Sequence, residues 1–105
     1  MSANYLFIYR GATKPTTPED IERAMAAWGA WFTEIGASVV DAGNPVGPSK
    51  SVTAKGVRAG GGAKPVSGYT IVSAASIEAA CALAKGCPLV VDGTGSIEVA
   101  EITPV

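Results

Sequence analysis

The chain has 105 residues, 48% of them hydrophobic and 16% charged, which is the size of a single domain with enough apolar material for one core. A net charge of −1 excludes a nucleic-acid partner held mainly through its phosphates. No basic segment followed by a long apolar run opens the chain, and apolar stretches such as Tyr5 to Tyr9 are far too short to span a membrane, so residues 1–105 are expected to form one soluble, cytoplasmic domain.

In chain order, Asn4 to Arg10 has the composition of a strand, because its aromatic and branched residues run from Tyr5 to Tyr9 without a polar break, as in a strand buried on both faces. A helix follows between Thr16 and Gly36. Thr17 is its cap, Pro18 suits the first helical position, Asp20 stands where a capping box places an acid, and Gly36 ends it. Ile21, Met25, Trp28, Phe32 and Ile35 fall in a stripe about 80° wide at helical period, the expected core face. Trp31 lies at the edge of that stripe, where it would cover a pocket or a partner surface. Gly29 disfavours the helix by about 1 kcal/mol relative to alanine, a penalty that a close backbone approach would explain.

Ser38 to Ala42 forms a short strand, and from Gly43 to Gly68 the character changes. That stretch holds seven of the thirteen glycines, with Lys50, Lys55, Arg58 and Lys64 and no acidic residue. A hairpin over Ser51 to Ala59, turning at Lys55-Gly56, is followed by the flexible Gly60-Gly61-Gly62. Tyr69 to Ala74 is again a strand. Ser76 caps a second helix with Ile77, Ala80, Cys81 and Ala84 on its apolar face, and Leu89 to Val91, a turn at Asp92 to Gly95 and a strand from Ser96 to Ile102 complete the chain.

This order predicts an α+β, ferredoxin-like βαββαβ sandwich, an antiparallel sheet with two helices on one face. The other face is then bare, and a second copy is the simplest cover for it, giving a homodimer through the open sheet face and a dimeric α/β barrel.

The chain resembles the YCII-related family over nearly its whole length. The resemblance rests on Tyr5 to Arg10, Ala27 to Phe32, Asp41-Ala-Gly-Asn-Pro-Val-Gly47, Gly68 to Val72, the Cys87-Pro88 pair and Gly95 to Val99, taken in order and spacing. It implies a dimeric α/β barrel of ferredoxin-like protomers. The histidine and aspartate that suggest catalysis in some members are not both carried over, because this chain has no histidine, and the Asp-Gly-Pro-Phe motif of another branch is replaced by Gly61-Gly-Ala-Lys-Pro65.

Without histidine, acid–base chemistry would fall to a carboxylate or lysine of shifted pKa. Asp41 is the leading carboxylate, since two valines precede it and partial burial would make it a better base, although an aspartate two residues before Gly43 equally suits a turn. Arg10 ends the first strand and would pair with a carboxylate on a ligand or on Asp41. Tyr69 and Trp31, with Asn44 from the Asp41 to Gly47 motif, complete a candidate pocket of Arg10, Trp31, Asp41, Asn44 and Tyr69. The basic glycine-rich stretch fits no phosphate-loop fingerprint. Cys81 and Cys87, with no histidine to share a zinc ion or activate a thiol, are expected to be two reduced thiols. No metal or cofactor is expected. The favoured function is a non-catalytic or cryptic small-molecule-binding or accessory homodimer; the alternatives are an enzyme acting on a small polar or anionic metabolite through Asp41 and Arg10, and a protein-interaction module using the sheet edge or the basic loop.

Overall fold

The computed structural model describes residues 2–11, 15–60, 62 and 64–104. Residue 61 of the triple glycine, like residue 63, lies outside the described residues. The elements are β1 (Ala3–Gly11), α1 (Pro18–Glu34), a 3-10 turn (Gly36–Ser38), β2 (Val39–Asp41), β3 (Lys50–Thr53), β4 (Gly56–Ala59), β5 (Val66–Ala74), α2 (Ile77–Ala84), α3 (Pro88–Val91) and β6 (Gly95–Glu101). Four strands form one antiparallel sheet in the order β2-β5-β1-β6, and β3 pairs with β4 in a separate hairpin. The fold is α+β and ferredoxin-like, with an antiparallel sheet.

The period of a pleated strand sorts the sheet into two faces. On β1, Tyr5, Phe7 and Tyr9 are buried and stand opposite Val72, Thr70 and Gly68 of β5. This is the side on which the helices pack. The intervening Leu6 and Ile8, opposite Ile71 and Tyr69, are only half-buried, so within one chain β1 is buried on one face rather than two. On β6 the same alternation turns Ile97 and Val99 inward and leaves Glu98 and Ala100 exposed.

The caps behave as their chemistry requires. The Thr17 hydroxyl accepts a hydrogen bond from the Asp20 amide at 3.1 Å, and the Ser76 hydroxyl accepts one from the Ala79 amide at 3.1 Å. The Asp20 carboxylate lies 3.5 Å from Arg23, one helical turn on. α2 buries only Ala80 and Ala84, small residues that let it lie close on the sheet, while Ile77 and Cys81 of its expected apolar face are exposed. Pro88 to Val91, to which the sequence pattern assigns no element, forms a helical turn started by Pro88 at its first position and burying Leu89.

The core gathers where the C-terminal ends of α1 and α2 meet. Trp31 is 2% exposed, its ring stacked 6.4 Å from that of Phe7 and its indole N–H donating to the Leu83 carbonyl at 3.0 Å. Ile35, Val72, Ala80, Ala84, Cys87 and Leu89 close around this pair. Burial of a side chain of this size stabilises by about 2–3 kcal/mol, so these contacts hold the C-terminal half of α1 to the sheet. Among the described residues no helix is long and apolar enough to cross a membrane.

Candidate functional site

The apolar stripe of α1 does not continue into the core. Trp31 and Ile35 are buried, Trp28 and Phe32 are half-buried, and Ile21 and Met25 are 43% and 70% exposed. The expectation that all five stripe residues form core is therefore corrected for the first half of the helix. Its apolar side instead forms one wall of a cleft.

The opposite wall comes from the end of the sheet. After β2 the chain turns at Asp41, whose Oδ1 accepts from the Gly43 amide at 2.9 Å. The chain then crosses beside β5, with the Tyr69 amide donating to the Asn44 carbonyl at 3.2 Å and the Val46 amide donating to the Ser67 carbonyl at 3.0 Å. Gly43 has φ +74°, and a Cβ there would run into the Tyr69 carbonyl oxygen. At Gly68 a Cβ would meet the Asn44 carbonyl at 3.1 Å and the Tyr9 ring at 3.2 Å. These two glycines let the strand, the crossing segment and the Tyr9 ring close onto one another.

The resulting cleft has a volume of about 690 Å³, within the range of small-molecule sites. Ile21, Met25, Trp28 and Phe32 line it from α1, and Asn44, Tyr69, Tyr9 and Thr70 from the sheet side. The Tyr9 and Trp28 rings meet edge to face at 5.3 Å. Beneath them the Tyr9 hydroxyl and Thr70 Oγ1 are 2.6 Å apart, and Thr70 Oγ1 donates onward to the Ala42 carbonyl at 2.8 Å. With its proton committed to Ala42, Thr70 accepts the proton of Tyr9. Burial pushes the Tyr9 phenol well above its ordinary pKa, against the opposing effect of the Thr70 hydrogen bond, so the group is neutral at physiological pH. The described lining thus combines an apolar aromatic surface with uncharged hydroxyl and amide groups.

The five residues singled out from sequence separate in the structure. Asn44 and Tyr69 line the cleft, with the Asn44 amide 3.5 Å from the Tyr69 hydroxyl. Trp31 is a core residue, because the helix turns it toward Phe7 and Leu83; its neighbour Trp28 is the tryptophan at the cleft. Arg10 reaches Glu98 at 3.4 Å across the open face of the sheet. Asp41 is exposed and occupied with its own turn, so partial burial, the reason for expecting a stronger base there, is not found. Arg10 and Asp41 do not pair.

Sequence reasoning passed over Tyr9, Thr70 and Met25. A signal for the first was present: a tyrosine facing a glycine on a central strand leaves room beside its ring. Cys81 is exposed and Cys87 buried, and burial raises the Cys87 thiol to about 11, leaving it protonated and unreactive at neutral pH. Gly29, expected to mark a close approach, has nothing within 4 Å of where its Cβ would lie.

No protein-family model matches the chain. No curated protein matches it. Among solved structures it is similar to 5-chloro-2-hydroxyhydroquinone dehydrochlorinase from Burkholderia phenoliruptrix AC1100, in complex with 2,5-dihydroxybenzoquinone, at 17% sequence identity and a TM-score of 0.55, with 93% of each chain covered. At that identity the likeness shows the shared ferredoxin-like α/β fold.

Proposed function

We propose that this protein is a divergent YCII-related homodimer of the cytoplasm that binds a small, planar, largely apolar molecule with polar edges in the cleft between α1 and the β1–β5 end of the sheet. The observation that carries the binding reading is the exposure of Ile21 and Met25 beside the half-buried Trp28 and Phe32, an apolar wall facing uncharged hydrogen-bonding groups. Such a surface favours a flat ring over a charged metabolite, since no charged side chain stands among the described cleft residues to compensate a desolvated ion. The dehydrochlorinase that shares the fold was solved with 2,5-dihydroxybenzoquinone, a planar ring with oxygen at its edges, and a ligand of that class fits this chemistry.

The dimer reading rests on the open face of the sheet. Leu6 stands between Ile71 and Ala100, and Ile8 between Tyr69 and Glu98, so the centre of the face is apolar and half-exposed. Arg10 and Glu98 add opposite charges to it. A face that carries both signs around an apolar centre suits a copy of itself related by a two-fold axis.

Titration calorimetry against small aromatic diols and quinones, beginning with 2,5-dihydroxybenzoquinone, tests the binding reading. Saturable binding that is weakened by Met25→Gln supports it; absence of binding across the series, or binding indifferent to that change, refutes it. Products of each compound are assayed in parallel, and turnover that Asp41→Asn abolishes would replace this reading with the enzyme working through Asp41 and Arg10. Sedimentation at micromolar concentration is expected to show two copies for the native chain and one for Ile8→Glu.

A further inference from the structure

We infer that the β3–β4 hairpin of each protomer reaches over the second copy and lays its valine face on the exposed apolar start of the partner's α1, an inference that rests on the dimer proposed above. The hairpin forms its own two-stranded sheet, and every residue from Lys50 to Ala59 is exposed. Such a ribbon is marginal in water without something to pack on. Register and pleat make it amphipathic: Val52 faces Val57 across the strands, with Ala59 and, at the ribbon's end opposite Ala59, Lys50 on the same side, while Ser51, Thr53 and Arg58 point the other way. Val52 and Val57 are 76% and 62% exposed, although their side of the ribbon has the pattern of a buried one.

Charge selects what covers that side. Lys50, Lys55 and Arg58 are the charged residues between positions 50 and 59, with no carboxylate among them. The matching surface is an exposed apolar patch within a net acidic setting, and the first turns of α1 supply one, with Ile21 and Met25 exposed next to Glu19, Asp20 and Glu22 against one cation, Arg23, which lies 3.5 Å from Asp20. The hairpin is not buried against that patch in its own chain, which leaves the patch to the arm of a second copy. Ile21 and Met25 also line the cleft, so the arm would add Val52 and Val57 to the mouth of the partner's site.

A zero-length carbodiimide, which joins a lysine amine to a carboxylate in contact with it, tests this on the native chain. Unlabelled and nitrogen-15-labelled protein are mixed and protomers exchanged, with native mass spectrometry confirming both dimerisation and exchange. Peptides linking Lys50 or Lys55 to Glu19, Asp20 or Glu22 are expected to include mixed-isotope pairs. Links confined to single-isotope pairs would show the arm folding on its own chain, and absence of these links in an intact exchanged dimer would show that it meets something else; either overturns the inference. If the native chain proves to be a monomer, it is the dimer reading that has failed, seen before any link is sought. In the dimer, Val52→Ser with Val57→Ser is expected to remove the mixed-isotope links while the Ile8 face still associates; persistence of those links in this variant would also count against the inference.

Discussion

The two halves of α1 have the same apolar period and opposite fates. From Trp31 to Ile35 the helix is held by Phe7, the Leu83 carbonyl and the small residues of α2, whereas from Ile21 to Met25 it faces open space. The difference shows that a hydrophobic stripe states what a helix face prefers, and that its neighbours decide whether the preference is met within the chain. Where Ala80, Ala84 and Gly86 leave room for a close approach, the stripe is core. Where the opposing surface is the crossing segment from Ala42 to Pro45, it lines a cleft.

The largest effect expected on this contrast is from Trp31→Ala, which removes the stacked ring and its indole hydrogen bond to the Leu83 carbonyl; a loss of about 3–5 kcal/mol in urea unfolding is expected. A small loss would place Trp31 outside the core. The alkaline limb of stability comes next. The Cys87 thiol is raised by burial from 9.0 to about 11, so its contribution is complete below pH 9 and is lost as pH rises toward 11, because the unfolded chain ionises first. Tyr9, raised in the same direction, extends the decline to higher pH. Melting temperatures across this range are expected to fall, with a shallower slope in Cys87→Ala.

Thr70→Val tests the floor beneath the cleft. It orphans both the Tyr9 hydroxyl and the Ala42 carbonyl and is expected to destabilise by about 1–3 kcal/mol, read in the same unfolding experiment. Gly29→Ala sits between the two halves of the helix, where added volume meets nothing. A gain of about 0.5–1 kcal/mol is expected, and a loss would reveal a close neighbour at that position. Smallest of all in the folding stability of the single chain is Met25→Gln, within about 0.5 kcal/mol of the native sequence, because the side chain packs on little within its own chain.

Much of the fold was legible because local chemistry and tertiary structure agree. Thr17 and Ser76 cap the helices they precede, Lys50 to Ala59 forms a hairpin turning at Ala54-Lys55, one residue before the expected Lys55-Gly56, and Ile97 and Val99 take the inner side of β6. The site was less legible, because it depends on long-range placement. Trp28 and Trp31 are three residues apart on one helix, and only the position of Phe7 and Leu83 decides which is enclosed. Asp41 follows two valines, yet the strand ends there and its carboxylate turns back to Gly43. Arg10 was expected to meet a carboxylate on a ligand or on Asp41 and instead meets Glu98, whose place beside it follows from the β1–β6 register.

The split of α1 into an enclosed half and a ligand-facing half is tested most directly by following the two indole N–H signals and the Met25 methyl signal in NMR spectra during titration with 2,5-dihydroxybenzoquinone. The expected result is that Met25 and Trp28 shift together and saturate while Trp31, bonded to the Leu83 carbonyl, stays in place. A titration that moves Trp31 and leaves Met25 and Trp28 unchanged, or moves none of the three, would contradict it.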